Sequence, residues 1–214
     1  MTGARREGQP DLLEAAWRLV GEHGWRGWSG VALARATGEP LATVYALFPS
    51  RRHLLVALGR RLDAAMLDLP LAELDGMSAR ERLFELLMRR FEAMRPFRAG
   101  LHAAGREAVF DPCLLLTAAA NLERAADWLL DASGVGLDGV RARTARRALQ
   151  LAYLRVFRVW LEDDSPDLAR TMAELDRRLG EFETLVRFFG LGAATSPAPS
   201  GAAREGGGEV AAPA

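Results

Sequence analysis

Thr43 and Tyr45 stand two residues apart in the run Leu41-Ala42-Thr43-Val44-Tyr45-Ala46-Leu47-Phe48, and Arg51, Arg52 and His53 follow just after a Pro49-Ser50 break. A phenol and a hydroxyl next to a cluster of cations can hold phosphate oxygens. A threonine can also meet a thymine methyl in the major groove. Arg35 and an Arg5-Arg6 pair lie upstream and can add to the set, and Leu41 opens the run. Residues 1–60 hold eight arginines against five acids, while the whole chain balances 28 basic residues with 28 acidic ones. A neutral chain is not a general polyanion binder, so a nucleic-acid site has to be local. All the basic residues are arginine, which reads mainly as genomic base composition.

Other chemistries find less support. Glu162-Asp163-Asp164-Ser165-Pro166-Asp167 is the densest acidic run, and acids ahead of a helix serve its dipole and its cap. His23, His53 and His102 are scattered without ligand spacing, and the single Cys113 allows neither an internal disulfide nor a cysteine zinc site. Cys113 follows Asp111-Pro112 at a helix start, and a buried inert thiol is the plainer reading. No glycine-rich phosphate loop occurs. An enzyme is not expected, and no cofactor or metal is predicted.

The elements that must position these residues are helical almost throughout, with no convincing alternating strand. Pro10-Asp11 opens a first helix with the apolar face Leu12, Leu13, Ala16, Trp17, Leu19 and Val20, stopping at the glycines around His23. Ser29 caps a second short helix, which Gly38 breaks. Pro40 fits the first turn of a third, very short helix, and Ser50 caps a fourth that runs to about Leu69. A helix as short as the third has little stability of its own and needs bracing by its neighbours. Ser78-Ala79-Arg80-Glu81 is a capping box. The helix it opens carries Leu83, Phe84, Leu87, Phe91 and Met94 and ends near Pro96, with a short segment after it. Asp111-Pro112 starts a helix to Leu130, Asp138 or a neighbour starts one through Leu161, and Ser165-Pro166-Asp167 caps a last one to Phe189.

The expectation is an all-α chain of about nine helices. Residues 1–9 form a flexible arm, 10–69 a helix-turn-helix with a connecting helix, 70–190 a larger bundle, and 191–214 a disordered tail. With no signal peptide and no apolar run of roughly 20 residues, a cytoplasmic protein without a membrane span is expected. In the bundle, Phe84, Leu87, Phe91, Met94, Leu115, Trp128, Tyr153 and Phe157 are candidate lining for an apolar or amphipathic ligand, with few charges among them. Leu168, Met172, Leu175, Leu179, Phe182 and Val186 repeat at four and three residues. This heptad seam predicts a homodimer interface.

The first 55 residues resemble the TetR-type transcriptional regulators. The resemblance rests on Ala15-Ala16, His23-Gly24, Ser29, Leu33-Ala34-Arg35-Ala36-Thr37-Gly38, Thr43-Val44-Tyr45, Phe48-Pro49-Ser50-Arg51 and Leu54-Leu55, in that order. It implies a homodimer that grips operator double-stranded DNA through its helix-turn-helix. It also implies an inducer of unknown identity in the bundle and regulation, most simply repression, by that ligand. The chain departs from the family's pattern at Glu39, Pro40, Leu41, Ala42 and Leu47, so its short helix carries no cation and Arg-to-guanine readout is absent from it. A weaker similarity, through Gly27-Trp28-Ser29 and Val159 to Ser165, is to the ubiquinone-biosynthesis lipid-binding proteins of the same fold. It implies the alternative of a lipid or isoprenoid carrier that does not bind DNA.

Overall fold

A computed structural model describes residues 11–135 and 139–188 of the chain. The expected arm with Arg5 and Arg6, Pro10, the expected tail at 191–214, and the helix bounds at Asp138 and Phe189 lie outside the described residues. Among the described residues there are nine α-helices and no strand: α1 Leu12–Gly27, α2 Gly30–Thr37, α3 Leu41–Leu47, α4 Arg51–Leu67, α5 Ala79–Ala93, α6 Arg98–Glu107, α7 Pro112–Ala132, α8 Gly139–Leu161 and α9 Ala169–Phe188. No helix among them is long and apolar enough to cross a membrane.

Most helix starts follow the caps written in the sequence. Asp11 accepts from the Leu13 and Glu14 amides, Ser29 from Ala32, and Asp111 from Leu114. Ser78 and Glu81 form the reciprocal box. Two expectations shift. Pro40 precedes α3 as its N-cap, with ψ 138°, because its ring fits extended backbone there. Ser50 stands at the N-cap of α4 but makes no amide bond, since its hydroxyl pairs with the His53 ring at 2.9 Å. Gly38 takes φ 73°, the left-handed turn between α2 and α3 that a side chain resists.

The segment after Pro96 is more than a short connection: it holds α6. That helix packs on α1 through small residues. A Cβ on Gly100 would meet the Trp17 carbonyl and lie 2.8 Å from the Trp17 ring, so the two backbones touch where any larger residue would part them. Trp17 is fully buried there. The α1 backbone breaks at Gly24, with φ 79°, and the Glu107 carboxylate at the end of α6 seats against it. That carboxylate accepts from the Trp25 amide at 2.9 Å and the Arg26 amide at 3.1 Å. The Trp25 indole donates to Asp111 at 3.0 Å.

Around α4 the remaining helices form the bundle: α5 and α7 pack on α4, α8 on α7, and α9 on α8 and α5. Its centre is a run of rings, Phe91 on Tyr153 at 5.3 Å, Tyr153 on Phe157 at 6.2 Å and Phe157 on Trp160 at 5.7 Å. The heptad seam belongs to this core. Leu168, Leu175, Leu179, Phe182 and Val186 are buried by the chain itself and Met172 is half-buried. The expected homodimer seam is therefore corrected to an intrachain contact, because its apolar face is already covered by α5 and α8. Leu168 is not part of α9 at all; it sits just ahead of it at φ 56°.

Candidate nucleic-acid interface and inter-helix cavity

The short helix α3 is held from beneath. Val44 is fully buried and Phe48 nearly so, against α2 and its buried Leu33. That anchoring turns the other face outward: Leu41 is 53% exposed and Tyr45 67%, with Thr43 half-buried between them. Leu41 and Tyr45 flank a recess of about 500 Å³ with Val31 and Trp28. Arg35 is exposed at the end of α2. His53 is exposed at the start of α4, tied to Ser50.

Arg51 and Arg52 open α4, as expected, and stand beside α7. Arg51 is half-buried and donates to the Trp25 carbonyl at 3.4 Å. Both arginines line a recess of about 270 Å³ with Asp111, Cys113 and Thr117, between the first turn of α4 and the first turns of α7. Asp111 sits below the usual carboxylate range, held there by the Leu114 amide against partial desolvation, with help from the Trp25 indole and the Arg51 charge. So Arg51 and Arg52 stand beside α7, and Arg35, Leu41, Thr43, Tyr45 and His53 lie at the helix-turn-helix surface. Cys113, expected to be buried, is exposed, because the α7 face it occupies is uncovered at its first turns.

A cavity of about 140 Å³ lies between α4, α5, α6, α7 and α8. Of the eight predicted lining residues, Met94, Tyr153 and Phe157 line it. Leu87 and Phe91 are core residues, Phe91 stacked behind Tyr153. Phe84 faces a different recess with Met77, Arg80 and Asp176, and Leu115 and Trp128, each 49% exposed, sit on the outer surface of α7. These five assignments are corrected for one reason: helical spacing says that a residue is apolar, not which neighbour its face meets. The α4 residues Leu55, Leu58 and Leu62, with Leu101 of α6, complete the walls.

Arg90 is the one charged residue in this lining, and a charged network stands behind it. Asp63 is buried and accepts from Arg90 at 2.5 Å and from Arg124 at 2.6 Å. Asn121 donates to the Leu55 carbonyl at 2.7 Å and accepts from Arg124 at 3.2 Å. Gly59 makes room for it, since a Cβ there would fall 2.6 Å from the Asn121 amide. Burial pushes the Arg90 guanidinium down, but Tyr153 and Asp63 raise it by more, so it stays charged. The sequence carried a sign of this: Arg90 falls inside the apolar stripe Leu83, Leu86, Leu87, Phe91 and Met94. A charge on a buried stripe needs a partner.

No family model matches the sequence, and no curated protein matches it. Solved structures do. The TetR transcriptional regulator from Nitrosomonas europaea is 21% identical over 81% of this chain and 96% of its own, with a TM-score of 0.65. A TetR transcriptional regulator from Rhodococcus sp. RHA1 is 23% identical over 80% and 92%, with a TM-score of 0.56. A braced helix-turn-helix carried on a bundle, matched over nearly the full length of these structures, is the all-α fold of the TetR-type transcriptional regulators.

Proposed function

We propose that the protein is a TetR-type transcriptional regulator, most simply a cytoplasmic repressor. Residues 10–69 would grip operator double-stranded DNA and residues 70–190 would hold a small ligand. One observation carries the DNA reading: α3, too short to be stable alone, is anchored through Val44 and Phe48 so that Leu41, Thr43 and Tyr45 project from it. In a major groove Thr43 and Leu41 would meet thymine methyls, and the Tyr45 hydroxyl would donate to a phosphate. Arg35, exposed at the end of α2, would add a cation to that surface. With so few base-reading groups, sequence preference would lean on DNA shape. The cavity beside α4 supplies the place where a ligand can bias two arrangements of the reading helices.

The test is a gel shift of the full chain on DNA from upstream of its own gene, at two salt concentrations. A salt-sensitive shift is expected, because phosphate contacts release counterions. Tyr45→Ala is expected to weaken binding about 30-fold on any operator, from about 1 kcal/mol per half-site in a dimer. Absence of any shift, or unchanged affinity in the variant, refutes the reading or the Tyr45 contact respectively.

A homodimer would place two reading helices about 34 Å apart, one DNA turn. With the α9 seam occupied inside the chain, the partner would have to cover apolar side chains left bare, such as Leu115 and Leu116 on α7 and Leu151 on α8, 49 to 72% exposed. Sedimentation of the purified protein at micromolar concentration is expected to give the mass of two chains; a single chain at every concentration removes the dimer.

A further inference from the structure

The polar groups of the inter-helix cavity have an imbalance that says what would fit there. Asn121 has both ends occupied, its amide by the Leu55 carbonyl and its oxygen by Arg124. Asp63 has one oxygen on Arg90 and the other on Arg124. What remains beside the cavity is donors and positive charge. Arg90, with a side chain only 4% exposed, lines the cavity, and its Nε has no hydrogen-bond partner. The Tyr153 hydroxyl lies against the Arg90 guanidinium, and for its own proton it has only the Met94 sulfur, at 3.6 Å. Charge points the same way: two guanidinium groups share one carboxylate. Arg124 reaches water, with 36% of its side chain exposed, and Arg90 does not. A buried donor and a buried surplus of positive charge both cost stability until an acceptor arrives. The walls around them, Leu58, Leu62, Met94, Leu122 and Phe157, offer only apolar surface. The exposed rim residues Ala118 and Leu154 place the mouth between α7 and α8.

We propose that this cavity binds a small monocarboxylate, its carboxylate held by Arg90 and the Tyr153 hydroxyl and its apolar body laid against Leu58, Leu62, Met94 and Phe157. At one water for each 10–15 Å³ of such space, a cavity of about 140 Å³ holds roughly ten non-hydrogen atoms. Octanoate and phenylacetate have that size. The inference rests on the ligand-responsive reading for its biological sense, but not for its test.

The test is calorimetric titration of the full chain, without DNA, with octanoate and phenylacetate and with the matched alcohols octan-1-ol and 2-phenylethanol. The acids are expected to bind at least about tenfold more tightly than the alcohols, as a charged hydrogen bond requires. Tyr153→Phe keeps the ring stack and removes the hydroxyl, and Arg90→Lys keeps the charge and removes Nε. Each variant is expected to lose most of the preference for the acid while binding the alcohol as before. Tyr153→Phe is the safeguard if Arg90→Lys does not fold. Equal affinity for acid and alcohol, no binding of either, or an acid preference that both variants retain overturns the proposal. A protein that shifts no DNA yet binds octanoate in this way loses the regulator reading and keeps this site. One that shifts DNA and ignores the acids does the reverse.

Discussion

Asp63→Ala is expected to cost about 3–5 kcal/mol of folding stability, because it strands Arg90 as an uncompensated buried charge. The loss is larger than a cavity the size of a carboxylate would cause. Arg124 can turn its guanidinium to solvent, being about a third exposed, but Arg90 has no such route. The sharper expectation concerns the double variant. Asp63→Leu with Arg90→Met replaces the pair by apolar groups of similar length and is expected to recover most of the lost stability, since a buried ion pair gains little over well-packed hydrocarbon. Urea midpoints of the wild type, the single variant and the double variant check this. Recovery would mean that the charges are kept for something other than stability. Failure to recover would mean that they, with Asn121 and Gly59, set the close packing of α4 on α7.

Asp163→Asn is expected to cost about 2–3 kcal/mol at neutral pH, with a clear pH dependence. This carboxylate is fully buried between α8 and α9. It accepts from the Ser165 amide and hydroxyl at 3.2 and 2.5 Å, and from the Thr171 amide and hydroxyl at 2.8 and 2.6 Å. Burial pushes its pKa up, and the bonds from Ser165 and Thr171 outweigh that, taking it down to about 2. An unfolded aspartate titrates near 3.9. The folded value is the lower one, so the stabilisation is complete above about pH 4 and is lost as pH falls from there toward 2. Denaturant unfolding at pH 7 and at pH 2.5 is expected to show the difference between wild type and variant narrowing sharply at the lower pH. A constant difference would mean that the carboxylate is not the group holding this corner.

What could be read from the sequence was whatever is decided locally. Asp11, Ser29, Ser78 and Asp111 cap helices because their side chains reach amides two or three residues away, and Gly38 turns because of its own φ. The braced helix at Thr43-Val44-Tyr45 was legible for the same reason. The rest depended on partners far along the chain. The helix α6, Arg-Ala-Gly-Leu-His-Ala-Ala-Gly-Arg-Glu, has almost no large apolar residue to mark it, because it meets α1 through Ala99 and Gly100, against Gly21 and Trp17. The α9 heptad announced a buried face, but not that α5 and α8 would cover it. The acidic run before α9 was rightly a cap, yet its centre is Asp163, which reaches eight residues forward to Thr171. Arg51 and Arg52 were legible as cations at the start of α4, but not that α7 would stand beside them.

The contact of Gly100 with Trp17 has a mechanical meaning. Two helices separated by long side chains can slide, because rotamers absorb the movement. Here backbone meets backbone and indole with no slack between them, and Glu107 pins the far end of α6 to the Trp25 and Arg26 amides. The neighbouring residue on α6, Leu101, forms part of the cavity wall. A displacement of Leu101 therefore has no soft joint in which to dissipate before it reaches α1. Contact this close favours the two helices moving as one piece, bounded by the 3₁₀ turns Arg95–Phe97 and Ala108–Phe110 on either side of α6.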